Sequence, residues 1–451
     1  MRLQNQTYYK ALMKALALII TFSLMAATSL KAQEVNKALL DSLFDRIEHN
    51  HKGMNSIALS IGGKEVYTRS IGFADVEQKI RATSATTYHI GSISKMFTAV
   101  LIMQLIEQDK LSLNTPLARF FPEVENADKI TIEHLLRHQS GLYNITEDAT
   151  YTEWLHIPHS RADLLKRITS RPNAFQPGTQ ASYSNSNFIL LTFILEDITG
   201  LSYAENVQNN ICRPCMLTST YVDGHPVGDI TEAKSYFRLS DWEPASVTHP
   251  SIPSGAGAVV STPKDLNAFQ YCLHHGNLVQ ESTLAQMMRI DNGFGIGMFT
   301  VPFYEHTAYG HTGGIDGFVS QSFYFPNNEL SLSLTANGVD MEPNDILIGV
   351  LSIVYNKPYD LPEFKPLEKI SEEEANRYSG VYSSPSFPLK ITVFNNNGQL
   401  MAQGTGQSAF PLTPTSENTF VFEPAQVTIV FFPEDRALEL HQAGTIRMTK
   451  E

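Results

Sequence analysis

Residues Ser92 to Ile106 read SISKMFTAVLIMQLI, and after the first turn nearly every position is apolar. The run is too long for an ordinary strand, and a helix that is apolar on all sides must be covered on all sides. The chain must therefore build a domain large enough to enclose a central helix. It has the material to do so: 451 residues, 42% hydrophobic and 10% aromatic. That composition excludes disorder as the main state, and no internal repeat or low-complexity tract points to a fibrous or solenoid form.

Hairpin signals flank the helix. Ser56 to Ile71 alternates apolar and polar residues around Gly62-Gly63, and GIDGFVSQSFYF is followed by LSLSLTAN across Pro326-Asn327-Asn328, which predicts a second hairpin. Asp345 to Tyr355 has the periodicity of a helix. Strands at both ends with helices between them predict an α+β domain, one antiparallel sheet assembled from both ends with a helical subdomain against it. Pro358, Pro362 and Pro366 then suggest a linker, and Ser371 with Glu374 predicts a capping box. The short alternating segments that follow predict a small antiparallel β-domain. The expected organisation is a leader over 1–33, a main domain over 34–358, a linker over 359–370 and a β-domain over 371–451.

The leader is expected because residues 1–33 carry Arg2, Lys10, Lys14 and Lys31 without an acid, around an apolar run from Ala15 to Ala27. That is the pattern of a secretory signal peptide, too short to span a bilayer. It implies a periplasmic or secreted protein with no stable membrane anchor after cleavage. The 33 Lys+Arg against 46 Asp+Glu give a net charge of −13, and no basic run interleaves with aromatics, so nucleic acid is not an expected partner. The cysteines are Cys212, Cys215 and Cys272. An odd number rules out complete pairing, and Cys212-Arg213-Pro214-Cys215 is expected to hold buried thiols or a local disulfide, since a redox role lacks its βαβ setting.

The chemistry centres on Ser92-Ile93-Ser94-Lys95. A serine on the first turn of a helix lies near free backbone N–H groups, and a lysine three residues on shares its face. Desolvated, such a lysine can take the serine proton without a histidine. By itself the tetrad is more often a capping serine with a solvated lysine. Two further segments change its meaning: Tyr183-Ser184-Asn185 after the turn Pro177-Gly178, and Gly310-His311-Thr312-Gly313-Gly314 leading into a strand. In the latter, small residues permit a carbonyl oxygen to approach strand N–H groups.

Together with IGSISKMFTA, HLLRHQSGL (134–142), SGAGAVVSTPKDL (254–266) and GFGIGM (293–298), these motifs resemble the penicillin-recognising serine hydrolases. The likeness is to the branch of class C β-lactamases, D-alanyl-D-alanine carboxypeptidases and esterases, and it spans about residues 40 to 355. The resemblance implies the β-lactamase/transpeptidase-like fold, with Ser92 as acylated nucleophile and Lys95 and Tyr183 sharing general-base work. It also implies Asn185 at the substrate amide, the backbone N–H groups of Ser92 and Gly314 as oxyanion hole, and His311 and Thr312 facing the substrate's carboxylate or leaving group. Class C enzymes usually carry lysine where His311 stands. A histidine supplies less positive charge at neutral pH, and that charge fades as pH rises. D,D-peptidase-like action on D-amino-acid cell-wall peptides is therefore expected ahead of efficient β-lactam hydrolysis. An esterase on small acyl or D-alanyl esters, a weak β-lactamase, and a non-hydrolytic penicillin- or peptidoglycan-binding protein are the alternatives.

No cofactor is expected, and no metal. His134 and His138 have metal-ligand spacing but no intervening glutamate, and packing is the expected role. Gly293, Gly295 and Gly297 are expected to relieve a strand along the cleft, since no βαβ unit supports nucleotide binding. Asn144 to Gly178 and Tyr221 to Ser251 are expected to wall the cleft.

Overall fold

The computed structural model describes residues 35–451 apart from 227–230, 239–240, 365–369, 397, 406–408, 423–424 and 443. The expected leader falls outside the described residues. The main domain comprises α1 (Lys37–His49), β1 (Gly53–Ile61), β2 (Lys64–Ile71), α2 (Ser94–Glu107), α3 (Ile132–Leu136), α4 (Asn185–Thr199), α5 (Pro263–His274), β3 (Phe299–Phe303), β4 (His306–Ile315), β5 (Phe318–Phe325), β6 (Leu330–Val339) and α6 (Pro343–Val354), with shorter elements between them.

Six strands form one antiparallel sheet in the order β3-β4-β5-β6-β1-β2. The first hairpin thus joins the last strand, Ile57 pairing with Leu334 and Leu59 with Leu332, which brings both ends of the domain into one sheet. Gly62 and Gly63 turn β1 into β2 with φ of +57° and +72°, the left-handed pair that matches strand twist. On one face of the sheet α1 and α6 close an apolar cluster through Leu40, Phe44, Ile346 and Val350. On the other side lies the larger core, in which α2 and α4 are packed along most of their length.

The second hairpin forms across Pro326–Asn328 as expected, but its first strand begins later than expected. GIDGFVSQSFYF is not one strand: the ladder runs to the pair Ile315 and Phe318, and Asp316-Gly317 forms a two-residue turn between β4 and β5. Asp-Gly between alternating apolar residues is a strong hairpin signal, and Asp316 takes φ +54° there. The cysteines also differ. The disulfide joins Cys215 to Cys272, 57 residues away, on α5, and Cys212 is the buried free thiol. The packing of α5 brings Cys272 to a Cα–Cα distance of 5.8 Å from Cys215, within disulfide reach.

Within the stretch expected as a linker, Tyr359, Leu361 and Phe364 pack against the α1–α6 cluster, and Arg46 donates to the Pro362 carbonyl at 3.1 Å. Beyond it Ser371 caps α7 (Glu372–Tyr378) by accepting from the Glu374 N–H at 3.1 Å. Among the described residues, nine strands between Gly380 and Lys450 then form a second antiparallel sheet around Tyr378, Phe420, Ile429, Phe431 and Leu438. Among the described residues no single helix is long and apolar enough to cross a membrane.

Candidate active site

Ser92 sits on a single 3-10 turn, Gly91–Ile93, that runs into α2. Two contacts fix this turn. The Ile90 N–H donates to the Val259 carbonyl at 3.0 Å, and the Val259 N–H donates to the Ser94 hydroxyl at 3.0 Å. Gly91 takes φ +49°, and a Cβ there would lie 2.8 Å from the Gly314 nitrogen. Glycine is thus required both by backbone conformation and by the closeness of β4.

Lys95, one turn on, is buried completely. Its Nζ lies 2.9 Å from Ser92 Oγ, 2.8 Å from Asn185 Oδ1 and 2.7 Å from the Ala256 carbonyl oxygen. Burial pushes its pKa well below the usual lysine range. Of these neighbours only the serine can donate, so a neutral amine gives its two hydrogens to Asn185 and Ala256 and turns its lone pair toward the Ser92 hydroxyl. That is the arrangement a general base requires.

Tyr183 meets the same serine from the other side. Its ring lies 4.8 Å from Lys95 Nζ, and its phenol, raised by burial and partly offset by a hydrogen bond with Ser92, stays protonated. The segment HLLRHQSGL explains how Tyr183 is held. His138 takes φ +57°, its carbonyl accepts from the Ser182 N–H at 2.8 Å, its Nδ1 accepts from the Ser184 N–H at 3.1 Å, and its ring stacks under Tyr183 at 4.4 Å. His134 instead completes the capping box of α3 with Thr131. The two imidazoles therefore do separate structural work. Arg137 between them is fully buried and donates to Glu133 and to the carbonyls of Arg289, Gln286 and Phe294.

Asn185 opens α4. Its Oδ1 faces Lys95, while its Nδ2 donates to Thr146 Oγ1 at 2.9 Å and its N–H to Asn144 Oδ1 at 3.1 Å. Asn144, Thr146 and the Ala256 carbonyl are working parts that sequence reading did not single out. Their role is set by approach across the fold and leaves no local motif.

The strand β4 supplies the facing wall. It pairs with β3 only from His306 to Gly310, yet with β5 as far as Ile315. The edge from His311 to Ile315 is therefore unpaired on the side of the Ser92 turn, and such an edge offers backbone N–H groups to a substrate carbonyl. Thr312 and Gly314 are exposed on this strand, but His311 is buried. Its Nδ1 donates to the Thr312 carbonyl, and burial, reinforced by Lys95 and opposed by that carbonyl, holds its pKa at about 3. The cation expected to fade with rising pH is absent across the neutral range, because the alternation of β4 turns this side chain inward. The glycine segment also differs from expectation: it is irregular, and Gly297 packs against the Lys95 carbonyl, where a Cβ would lie 2.9 Å from the oxygen.

Ser92, Asn185 and Gly314 line a cleft of about 480 Å³. Its walls come from Thr146, Tyr151, Thr152 and Leu155 on one loop and Phe237, Ser246 and Thr248 on the other, with Ile189, Ile252 and Asp316 completing it.

Residues 38–351 match the Beta-lactamase family. The chain is 26% identical over 428 residues to a penicillin-binding protein of Bacillus subtilis (strain 168), covering 87% of this chain and 93% of that one. It is 30% identical over 240 residues to the teichoic acid D-alanine hydrolase of Staphylococcus aureus, covering 52% and 56%. Among solved structures, an octameric penicillin-binding protein homologue from Pyrococcus abyssi superposes with a TM-score of 0.64 at 22% identity, over 92% of this chain and 99% of that one. The chain belongs to the Beta-lactamase family and is a serine hydrolase of the β-lactamase/transpeptidase fold, carrying a C-terminal antiparallel β-domain.

Proposed function

We propose that the protein hydrolyses amides or esters of D-amino acids through an acyl-enzyme on Ser92, in an oxidising compartment outside the cytoplasm. The observation that carries the reading is the fully buried Lys95, its pKa lowered by that burial, 2.9 Å from Ser92 Oγ and opposite an unpaired strand edge. The relatives named for penicillin binding and for D-alanine hydrolysis support the D-amino-acid class. The disulfide supports export.

In the forward step Ser92 Oγ bonds to the substrate carbonyl carbon and its proton passes to Lys95 Nζ. The carbonyl oxygen becomes an oxyanion facing the N–H groups of Ser92 and Gly314. Collapse breaks the bond to the leaving nitrogen or oxygen, which takes a proton relayed from Lys95 through the protonated Tyr183 phenol. Water then attacks the ester carbon, gives its proton to the same base and releases the acid and the Ser92 hydroxyl. Matched D-alanyl amides and esters separate the esterase alternative from an amidase.

The test is turnover of D-alanyl amides and esters by wild type and Ser92→Ala, with intact mass after exposure to benzylpenicillin. Turnover of the D-alanyl compounds that requires Ser92 is expected, and any penicillin adduct is expected to require Ser92 as well. A Ser92→Ala variant that turns over as wild type does overturns the reading.

A further inference from the structure

The cleft beside Ser92 is walled mostly by apolar and hydroxyl side chains, and among its described lining residues Asp316 is the one that carries a formal charge. Among the described residues no lysine or arginine lines it, burial pushes the pKa of Lys95 beneath it well below the usual lysine range, and His311 is buried with its pKa held at about 3. A substrate that ends in a carboxylate, as a carboxypeptidase substrate does, meets no cation on this lining. A substrate that brings its own cation meets a carboxylate.

Asp316 is also placed for such a role. It occupies the turn two residues beyond Gly314, so the chain between them spans at most about 7 Å, and it sits at φ +54°. Thr248 donates to its carboxylate from the backbone N–H, at 3.1 Å to each oxygen, and from the hydroxyl at 2.6 Å. These three bonds come from the loop that carries Thr248 and fix the carboxylate plane. Tyr151 approaches from the helix Tyr151–Trp154. Behind Asp316, the His89 imidazole contacts Glu232 at 3.1 Å and Asp223 at 3.9 Å; Asp316 acts electrostatically on both His89 and Asp223. Asp223 and Glu232 stay with His89 outside the cleft lining, and Asp316 is the carboxylate that faces it among the described residues.

We infer that Asp316 is a specificity-determining residue that binds the free α-ammonium of an aminoacyl substrate, so that the enzyme selects D-aminoacyl amides or esters with an unblocked amino group. An α-ammonium lies one carbon from the reacting carbonyl, which matches a carboxylate held close to Gly314. This inference rests on the Ser92 hydrolase reading and narrows it: N-acylated peptides ending in a free carboxylate become poor substrates.

The experiment compares D-alanine p-nitroanilide with its N-acetyl derivative, using wild type, Ser92→Ala and Asp316→Asn. Asparagine tolerates the left-handed backbone and keeps the shape. Wild type is expected to favour the free amine, and Asp316→Asn is expected to lower the ratio of kcat/KM, free over acetylated, by about ten- to a hundredfold, the range for a hydrogen bond to a charged group. Ser92-dependent turnover by wild type with no preference for the free amine overturns the inference and leaves the hydrolase reading standing. Equal losses on both compounds in Asp316→Asn show a merely structural turn and also overturn it. Absence of Ser92-dependent turnover on either compound overturns the underlying substrate reading, and this inference with it.

Discussion

Gly91→Ala is the substitution that most directly probes the link between fold and catalysis. The added Cβ would lie 2.8 Å from the Gly314 nitrogen and 2.9 Å from its carbonyl carbon and oxygen. Ordinary contact begins at 3.4 Å, so the Ser92 turn and β4 must separate by about 0.6 Å. Backbone cannot swing aside as a flexible side chain can. The left-handed φ costs about 1–2 kcal/mol and the overpacking about 1–3 kcal/mol, for a loss of ~2–5 kcal/mol. A displacement of this size at the oxyanion edge is expected to lower kcat by roughly 10²-fold or more. Gly200, at the C-terminal end of α4, is the control. It has φ +69° and nothing within 4 Å of its missing Cβ, so Gly200→Ala meets the backbone cost of about 1–2 kcal/mol alone. Thermal unfolding and pre-steady-state acylation by a chromogenic ester measure both effects. Wild-type acylation in Gly91→Ala, or an equal loss in Gly200→Ala, refutes the claim that closeness of β4 to the Ser92 turn sets the catalytic geometry.

Because burial lowers the Lys95 pKa, its base form prevails above the folded-state pKa, and kcat/KM is expected to fall as pH drops through that value. A pH–rate profile should show this acid limb, and Lys95→Arg, permanently charged, should lose about 10²–10⁴-fold on the plateau above that pKa, the gap narrowing along the acid limb. The buried neutral amine also makes stability rise with pH between its folded and unfolded pKa values, since only the unfolded chain binds the proton there. Arg137→Met removes the donor to three backbone carbonyls, while Glu133 keeps its ion pair with Arg289; calorimetry should show a loss of about 3 kcal/mol or more from the unpaired carbonyls. Reducing Cys215–Cys272, which closes 57 residues, should lower stability by ~4 kcal/mol, with acylation kinetics retained because neither cysteine touches the cleft.

Sequence alone determined the parts of this protein whose physics is local. The apolar run after Ser92 demanded a buried helix, the helical repeat put Lys95 on the face of Ser92, and alternation with turn residues set both hairpins. The family resemblance drew the separate motifs into one site. Tertiary structure decided whatever depends on approach between distant segments. No spacing rule could pair Cys215 with Cys272, because α5 brings them together. Nor could spacing reveal that Ala256 and Asn185 accept from Lys95, or that His138 stacks under Tyr183. His311 shows the limit most clearly. Its residue type suggested a titrating cation facing substrate, but whether an alternate residue on a strand points inward or outward depends on which face the sheet buries, and here burial made it a neutral donor to its own strand.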